Sequence, residues 1–344
     1  MPSPTLADVA REASVAASTA SIVLSKGGQF DKIPETTRKR IQAAARKLKY
    51  QPYAGARQLK RNRSGTIALL LSAETNRSSL SNELLFGISI ELQKRDLGLN
   101  FVRLDDESLL GNTPRFLRQK EVDGVLVNYN VKMPRELLDL IEHYEIPAVF
   151  LNIRKVENAV WFDHYRATRQ LIDRLVALRH RHIMLLNFTE AYDHYSVRDS
   201  MRGYRDAMRK AGLDPWVEET PVPRTGRRKA CLELLAPGKA NTRIPTAVFA
   251  LSQSSAIPLV QAAGQLGIDI PGQLSVCTYG EPEFISLIDP QPGYITHPWR
   301  EAAQVSVQML LNRIEGKADK KLSGRLECGW NEGCGTIAPP PRKG

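Results

Sequence analysis

Six histidines (His143, His164, His180, His182, His194, His297) and four cysteines (Cys231, Cys277, Cys328, Cys334) are the residues that could hold a metal or drive nucleophilic chemistry, and their spacing favours neither. His180 and His182 stand two apart at the entry to an apolar run, where a strand entry accounts for them better than a ligand pair. No CxxC pair occurs and Cys328 with Cys334 gives only a weak metal hint, so the thiols read as reduced and structural. There is no P-loop, GxSxG, HExxH or GxGxxG in the right context, and no acid–base–nucleophile set assembles. Neither an enzyme, a cofactor nor a metal is expected.

The chemistry that the sequence does favour is contact with a polyanion. Residues 1–63 hold 13 Lys and Arg against 4 Asp and Glu, a net of +9, while the rest of the chain raises the total only to +11. A basic head on a near-neutral body suggests that one segment meets nucleic acid. A membrane surface would attract the same charge, yet no continuous basic amphipathic face is present. No run of 18 apolar residues occurs and the N-terminus is no signal peptide, so a cytoplasmic, nucleoid-associated protein without a membrane partner is expected.

The elements that must carry this charge begin near the N-terminus. Thr5 and Asp8 have capping-box spacing, and Leu6, Val9, Ala10 and Ala13 share one helical face. Ser14-Val15-Ala16 is long enough for a tight turn. A second helix follows, with Thr19, Val23 and Leu24 inward and Ala17, Ser18, Ser21 and Ile22 outward. Two short helices over such a turn form a helix-turn-helix, whose second helix fits the DNA major groove; an ordinary helical hairpin is the alternative. A third helix is expected from about Pro34 to Lys49, with Ile41, Ala44, Ala45 and Leu48 as its apolar stripe and Arg38, Lys39, Arg40, Arg46 and Lys47 around it. Beyond a basic linker, strands alternate with helices at intervals of roughly 25 to 35 residues, which argues for parallel α/β units. The length of 344 residues suits two or three domains.

Four segments in order, Thr5 to Leu24, Pro34-Glu35-Thr36, Ala56-Arg57-Gln58-Leu59 and Ser64-Gly65-Thr66-Ile67, resemble the head, hinge and first strand of the lactose/galactose-repressor (LacI/GalR) family of transcriptional regulators. Glu83 to Ile88, Val122 to Val127, Ile146 to Leu151, Asp163 to His182, Gly203-Tyr204-Arg205-Asp206-Ala207-Met208, Pro245 to Ala250 and Leu266 to Pro271 extend the resemblance over about residues 5–338. It implies an α-helical helix-turn-helix head at 1–49 and a hinge helix and linker at 50–64. A two-lobed, parallel-sheet α/β domain like a periplasmic binding protein follows at 65–338, serving effector binding and dimerisation. One lobe would take about 66–160 and 292–320, the other about 161–291 and 321–338, with a ligand cleft between them. The tail at 339–344 has no heptads, so no tetramer-forming extension is expected.

On the DNA side, the resemblance places Ala17, Ser18 and Ile22 against base edges, and Thr19 and Ser21 nearer the phosphates, with Thr5, Leu6 and Ala16 also among the DNA-binding residues. Ala56, Arg57 and Leu59 would lie in the hinge helix, its leucine wedged between base steps in the minor groove. None of Ala17, Ser18 and Ile22 is a forked donor, so modest base discrimination is expected, with Ile22 offering apolar contact or packing against the third helix. Ala16, Ile33 and Lys49 stand where relatives place two N-caps and a C-terminal glycine, so the head is expected to melt below the body.

On the effector side, Asn128 and Asn152 follow two strand ends, and His297 and Trp299 lie on a crossover, matching the family's pocket positions. Ser200 stands where an arginine is usual, with Arg198 close by; Ser252-Gln253 and Gly280-Glu281 replace an Asn-Asp and an Asp pair. Trp161, Tyr192, Tyr195 and Tyr279 could form an aromatic pocket or pack the core. The resemblance implies a homodimeric, sequence-specific regulator, a repressor, on a near-palindromic double-stranded operator, controlled by a small polar effector such as a sugar. The alternatives are a weakly specific DNA binder without effector and a solute-binding protein.

Overall fold

The computed structural model describes residues 4–25, 29–50, 63–74, 77–78, 80–111, 114–119, 121–154, 156–189, 194–236, 244–317, 324–333 and 335–341. Two compact units are present, one of Met1–Gly65 with residues 120–122, the other of Thr66–Gln119 and Asp123–Gly344.

The first unit contains α1 (Leu6–Glu12), α2 (Ala17–Ser25), a short 3-10 turn at Phe30–Lys32 and α3 (Glu35–Lys47). The capping box forms as its spacing predicts: the Thr5 backbone N–H donates to Asp8 Oδ2 at 2.9 Å, and the Asp8 N–H donates to Thr5 Oγ1 at 3.3 Å. Hydrogen bonds from Thr5, then the Arg11 charge, hold the Asp8 carboxyl below its ordinary value. Ser14, in the turn, adopts a left-handed φ of 50°. Val9, Ala13, Ala20, Val23, Ile41 and Ala44 form the core. Ala20, fully buried, supplies the inward contact expected of Thr19, which is half-buried. With a small side chain at that place α2 can approach its neighbours closely. Five of the eight buried core residues are alanines, so the head buries little apolar surface and has little stability to lose.

In the second unit, β1 (Thr66–Ser72), β2 (Gly98–Leu104), β3 (Gly124–Val127), β4 (Ala148–Leu151), β5 (Ala159–Phe162), β6 (Ile183–Phe188), β7 (Trp216–Thr220), β8 (Ala247–Ala250), β9 (Ser275–Tyr279), β10 (Gly293–Thr296), β11 (Arg325–Leu326) and β12 (Gly329–Asn331) make two six-stranded sheets. Their orders are β11-β5-β4-β3-β1-β2 and β12-β10-β9-β8-β6-β7. Every described pairing is parallel except β10 with β12. Strands covered on both faces need unbroken apolar sequence, and β3, β4, β6, β8 and β9 are buried at every residue. Helices Asn82–Gln93 and Trp299–Ile314 cover the first sheet, and helices His164–Ala177 and Tyr195–Lys210 cover one face of the second.

The chain passes between the sheets three times, and two of the crossings differ in place from the sequence expectation. Gly293–Thr296 pairs with β9 in the second sheet, so the segment expected in the first lobe from 292 enters it at the helix opened by Trp299. Arg325–Leu326 pairs with β5 in the first sheet, within the stretch expected wholly in the second lobe. Short apolar strands look alike whichever sheet receives them; hydrogen-bond register alone separates them.

The Gly203-Tyr204 pair has a packing reason for each residue. A Cβ at Gly203 would lie 2.5 Å from the Tyr165 carbonyl oxygen, so helix Tyr195–Lys210 meets helix His164–Ala177 backbone to backbone there. The Tyr204 hydroxyl, fully buried, donates toward the Ile183 carbonyl at 2.8 Å and accepts the Trp216 N–H at 2.8 Å, tying β6 to β7.

His180 is also buried, and both of its ring nitrogens are engaged, Nδ1 with Thr246 Oγ1 at 2.9 Å and Nε2 with the Ala338 carbonyl at 2.7 Å. Burial lowers its pKa, the carbonyl contact opposing. The fold therefore keeps His180 neutral, whereas the unfolded chain takes up a proton near the ordinary 6.5. Its contribution is complete above that pH and is lost as the pH falls below it. Urea midpoints of the second unit should decline between pH 7 and pH 5, with His180 adding a slope of at most about 1.4 kcal/mol per pH unit, and His180→Gln should flatten that decline.

Candidate functional site

In the first unit the candidate contact face is the exposed end of α2. Ala16, Ala17 and Ser18 are exposed, Thr19, Ser21 and Ile22 are half-buried, Thr5 is exposed, and Leu6 packs partly into the head core. Ile22 is half-buried and, among the described residues, is not one of those packed into that core; it lies one helical turn from Ser18. Ala56, Arg57 and Leu59 lie outside the described residues.

Several basic residues around this face are engaged within the unit. Lys47 pairs with Glu12 at 2.6 Å, Lys39 with Glu35 at 2.8 Å, and Arg38 lies 4.7 Å from the Phe30 ring centre and 3.7 Å from Asp31. Arg40 and Arg46 are exposed and form no ion pair among the described residues, which leaves them the freest for phosphate. Lys49, one residue past the cap of α3, has a φ of 50°, and the Tyr50 N–H returns to the Ala45 carbonyl at 2.9 Å. That left-handed position suits glycine. Lys49→Gly should raise the melting point of the lower thermal transition, with a gain of about 1 kcal/mol, while leaving the upper transition in place. The helix-start position predicted at Ile33 falls instead on Pro34, without a side-chain cap, and Ile33 is half-buried against the core.

In the second unit a cleft of about 560 Å³ opens where the two sheets face each other. Its walls come from the loops at the carboxyl ends of the parallel strands, the usual place for ligands in such sheets. Asn152, Ser200, Ser252, Gln253, Glu281, His297 and Trp299 line it, and the fold brings them together. Asn128 and Arg198 do not line it. Asn128 is fully buried because its N–H still continues the sheet to the Leu70 carbonyl, and its Oδ1 accepts from Asn130, the residue that does reach the cleft. Arg198 is on the exposed side of its helix, while the Arg154–Asp199 ion pair forms beside it.

Of the four aromatic residues suggested by the sequence, Tyr279 lines the cleft and Trp161 does not. Tyr195 is buried behind the wall, donating to Asn152 Oδ1 at 3.1 Å and accepting the Phe162 N–H at 3.0 Å. Tyr192 lies outside the described residues.

The inner wall is an aromatic cluster. His297 stacks on Tyr279 with ring centres 5.6 Å apart and planes 16° apart, His164 lies 5.1 Å from His297, and Trp299 meets Phe162 edge-on at 4.6 Å. Burial, reinforced by His297 and His194, pushes His164 well below its ordinary pKa and keeps it neutral. Burial likewise holds the Tyr279 phenol protonated; its hydroxyl donates to the His164 carbonyl at 3.2 Å and lies 3.0 Å from Thr168 Oγ1. Glu281 is fixed in place by the Trp299 indole N–H at 2.7 Å. On the opposite side, Asn187 donates to Glu219 at 2.8 Å.

His164, Asn187 and His194 are lining residues that sequence reasoning missed. Their signal is positional: His164 and Asn187 sit where β5 and β6 end, and His194 precedes the helix after β6 and bonds to the Asn152 carbonyl through Nε2. Among the described lining residues there are two carboxylates, Glu219 and Glu281, and neither Lys nor Arg. Such a lining suits neutral or cationic polar ligands and opposes phosphates.

A helix-turn-helix unit and a two-sheet parallel α/β unit with a cleft define a DNA-binding transcription regulator of the ligand-sensing class. Residues 5–53 match the bacterial regulatory proteins of the lacI family, and residues 172–331 match the periplasmic binding protein-like domain. The chain is 29% identical to the HTH-type transcriptional repressor PurR of Vibrio cholerae over 335 residues, covering 92% of this chain and 93% of that one. It is 28% identical to the ribose operon repressor of Escherichia coli over 322 residues, covering 90% and 93%. Its fold is that of the lac repressor, solved as a dimer bound to operator and the anti-inducer ONPF, with a TM-score of 0.76, 23% identity and coverage of 98% and 100%. The head thus matches that of the lacI family, and it is followed by a periplasmic binding protein-like domain. No described helix is long and apolar enough to cross a membrane.

Proposed function

We propose that this protein is a homodimeric repressor, acting in the cytoplasm by binding and not by catalysis. Each head reads one half of a near-palindromic operator with α2, and the cleft takes a neutral or cationic polar small molecule, a sugar being the favoured kind. The observation that carries the reading is the cleft lining: hydroxyl, amide and aromatic side chains with two carboxylates and no Lys or Arg among the described residues. Stacking on Tyr279 or Trp299 with hydrogen bonds from Asn130, Asn152 and Gln253 suits a polyhydroxyl ring. Residues 1–49 form the head, 50–64 the hinge, and the remainder to 338 the two effector-binding lobes, with Leu59 as the minor-groove wedge.

Dimerisation is supported by an apolar face on the second unit. Phe86 and Ile90 on helix Asn82–Gln93 are 65% and 52% exposed, and Phe284 and Leu287 in the other lobe are 45% and 81% exposed. Asn82 donates to Glu283 at 3.3 Å, which places the two groups side by side. Large apolar side chains grouped on an outer surface suit a protein–protein interface.

Selection of genomic DNA fragments with the purified protein tests the reading. One near-palindromic site should emerge, and Leu59→Ala should weaken it by about 100-fold, the unstacking contact of a few kcal/mol being lost. Salt-sensitive binding without a preferred site would replace the repressor with a weakly specific DNA binder. Thermal shifts across a ligand panel should respond to neutral sugars and not to their phosphates.

A further inference from the structure

We propose that His164, His297 and Cys328 form a binding site for a thiophilic d10 metal ion, Zn2+ or Cu+, where the three crossings between the lobes meet. Each crossing supplies one donor. After β5 the chain runs through Asp163 into the helix opened by His164; after β10 it runs through His297 into helix Trp299–Ile314; after β11 it runs through Glu327 and Cys328 into β12. One nitrogen from each imidazole and the Cys328 sulfur lie within 4.8 Å of one another. Metal–nitrogen bonds of about 2.0–2.1 Å and a metal–sulfur bond of about 2.3 Å bring such donors to roughly 3.5 Å apart. The required contraction, on the order of 1 Å, is divided among three side chains and lies within small rotamer adjustments.

Two buried nitrogens point to a ligand. His164 is 4% exposed and its Nδ1 has no hydrogen-bond partner, an arrangement that buried polar atoms rarely tolerate. His297 Nδ1 also makes no hydrogen bond, yet Glu281 Oε1 stands 3.5 Å away. A carboxylate behind one imidazole nitrogen is what directs the other toward a metal. Cys328 is a free, half-buried thiol packed against the apolar cores of both lobes. Cys334, which with Cys328 gives the weak metal hint in the sequence, lies outside the described residues.

The donor set is soft, which selects Zn2+ and Cu+ over Mg2+ or Ca2+. On binding, the thiol proton passes to solvent as the sulfur–metal bond forms, and no electron is transferred. Two neutral imidazoles and one thiolate offset the charge of Cu+, and Glu281 beside His297 offsets part of the further charge of Zn2+. Because all three crossings hold the ion, and His164 and His297 also line the cleft, it would fix the angle between the lobes from within the cleft wall.

Full-length reduced protein titrated anaerobically with Zn2+ and with Cu+ against a chromogenic chelator should bind one equivalent per chain, the tighter ion being the resident one. Co2+ as a probe should give a sulfur-to-metal charge-transfer band. Cys328→Ser and His297→Gln should each abolish that band and lose the equivalent of tight binding. Binding no tighter than the chelator's, or a band that persists in Cys328→Ser, would overturn the proposal. Should a variant fail to fold, X-ray absorption of the zinc-loaded wild type decides: one sulfur and two imidazoles support the site, and a coordination sphere without sulfur rejects it.

Discussion

Replacing Phe86 and Ile90 together with glutamate is expected to convert the dimer into monomers and to weaken operator binding by about 100-fold or more. Both side chains stand on the outer face of helix Asn82–Gln93, 65% and 52% exposed, so the change removes no core contact. Gly87, between them in sequence, turns the other way: a Cβ there would lie 2.6 Å from the Ala303 Cβ, which shows how closely the inner face of this helix is already packed. Four like charges brought together across a two-fold axis, two from each copy, would oppose association strongly. Each monomer would keep its head but lose the gain from engaging two half-sites at once, a factor of roughly 10² to 10⁴. Sedimentation gives the mass and a fluorescence titration gives the affinity. A double variant that remains dimeric with unchanged affinity would place the dimer contact elsewhere.

Gly203→Val is expected to destabilise the second unit by about 3 kcal/mol, at the upper end for overpacking. The clash at 2.5 Å is with the Tyr165 carbonyl oxygen and a further contact at 3.3 Å is with the Thr168 Cβ, so backbone must move and no flexible side chain can yield instead. The displaced helices carry Ser200 and His164 on the cleft wall and Tyr204, whose hydroxyl joins β6 to β7. Ligand binding should therefore weaken along with the urea midpoint. Gly203→Ala should cost less, in the range of about 1–3 kcal/mol, because one methyl displaces less than three. A valine variant with native stability would mean that the two helices part there freely.

The helix-turn-helix was legible because its determinants are local. A capping residue, a face of Val9, Ala10 and Ala13 and a three-residue turn act within a few positions of one another. Even there, Ala20 went unrecognised as the buried contact, since nothing nearby in sequence distinguishes an alanine that faces α1 and α3 from one that faces water. In the cleft, Asn128 and Asn130 show the same boundary of inference. Two asparagines of identical chemistry follow β3, and the hydrogen bond from the Asn128 N–H to Leu70, far away in the chain, buries the first and leaves the second to line the cleft.

By itself, then, the sequence determined the properties that depend on neighbours along the chain. These are a basic helical head, parallel strands apolar along their whole length, and the ordered motifs that resemble the lacI family. Tertiary structure decided what depends on register between distant segments: which sheet receives β10 and β11, which asparagine faces the ligand, and the meeting of His164, His297 and Cys328. Those three residues are spread over half of the chain and share no spacing that a linear pattern could reveal. Only the pairing of strands, whose hydrogen bonds form between segments far apart in sequence, brings their crossings to one place.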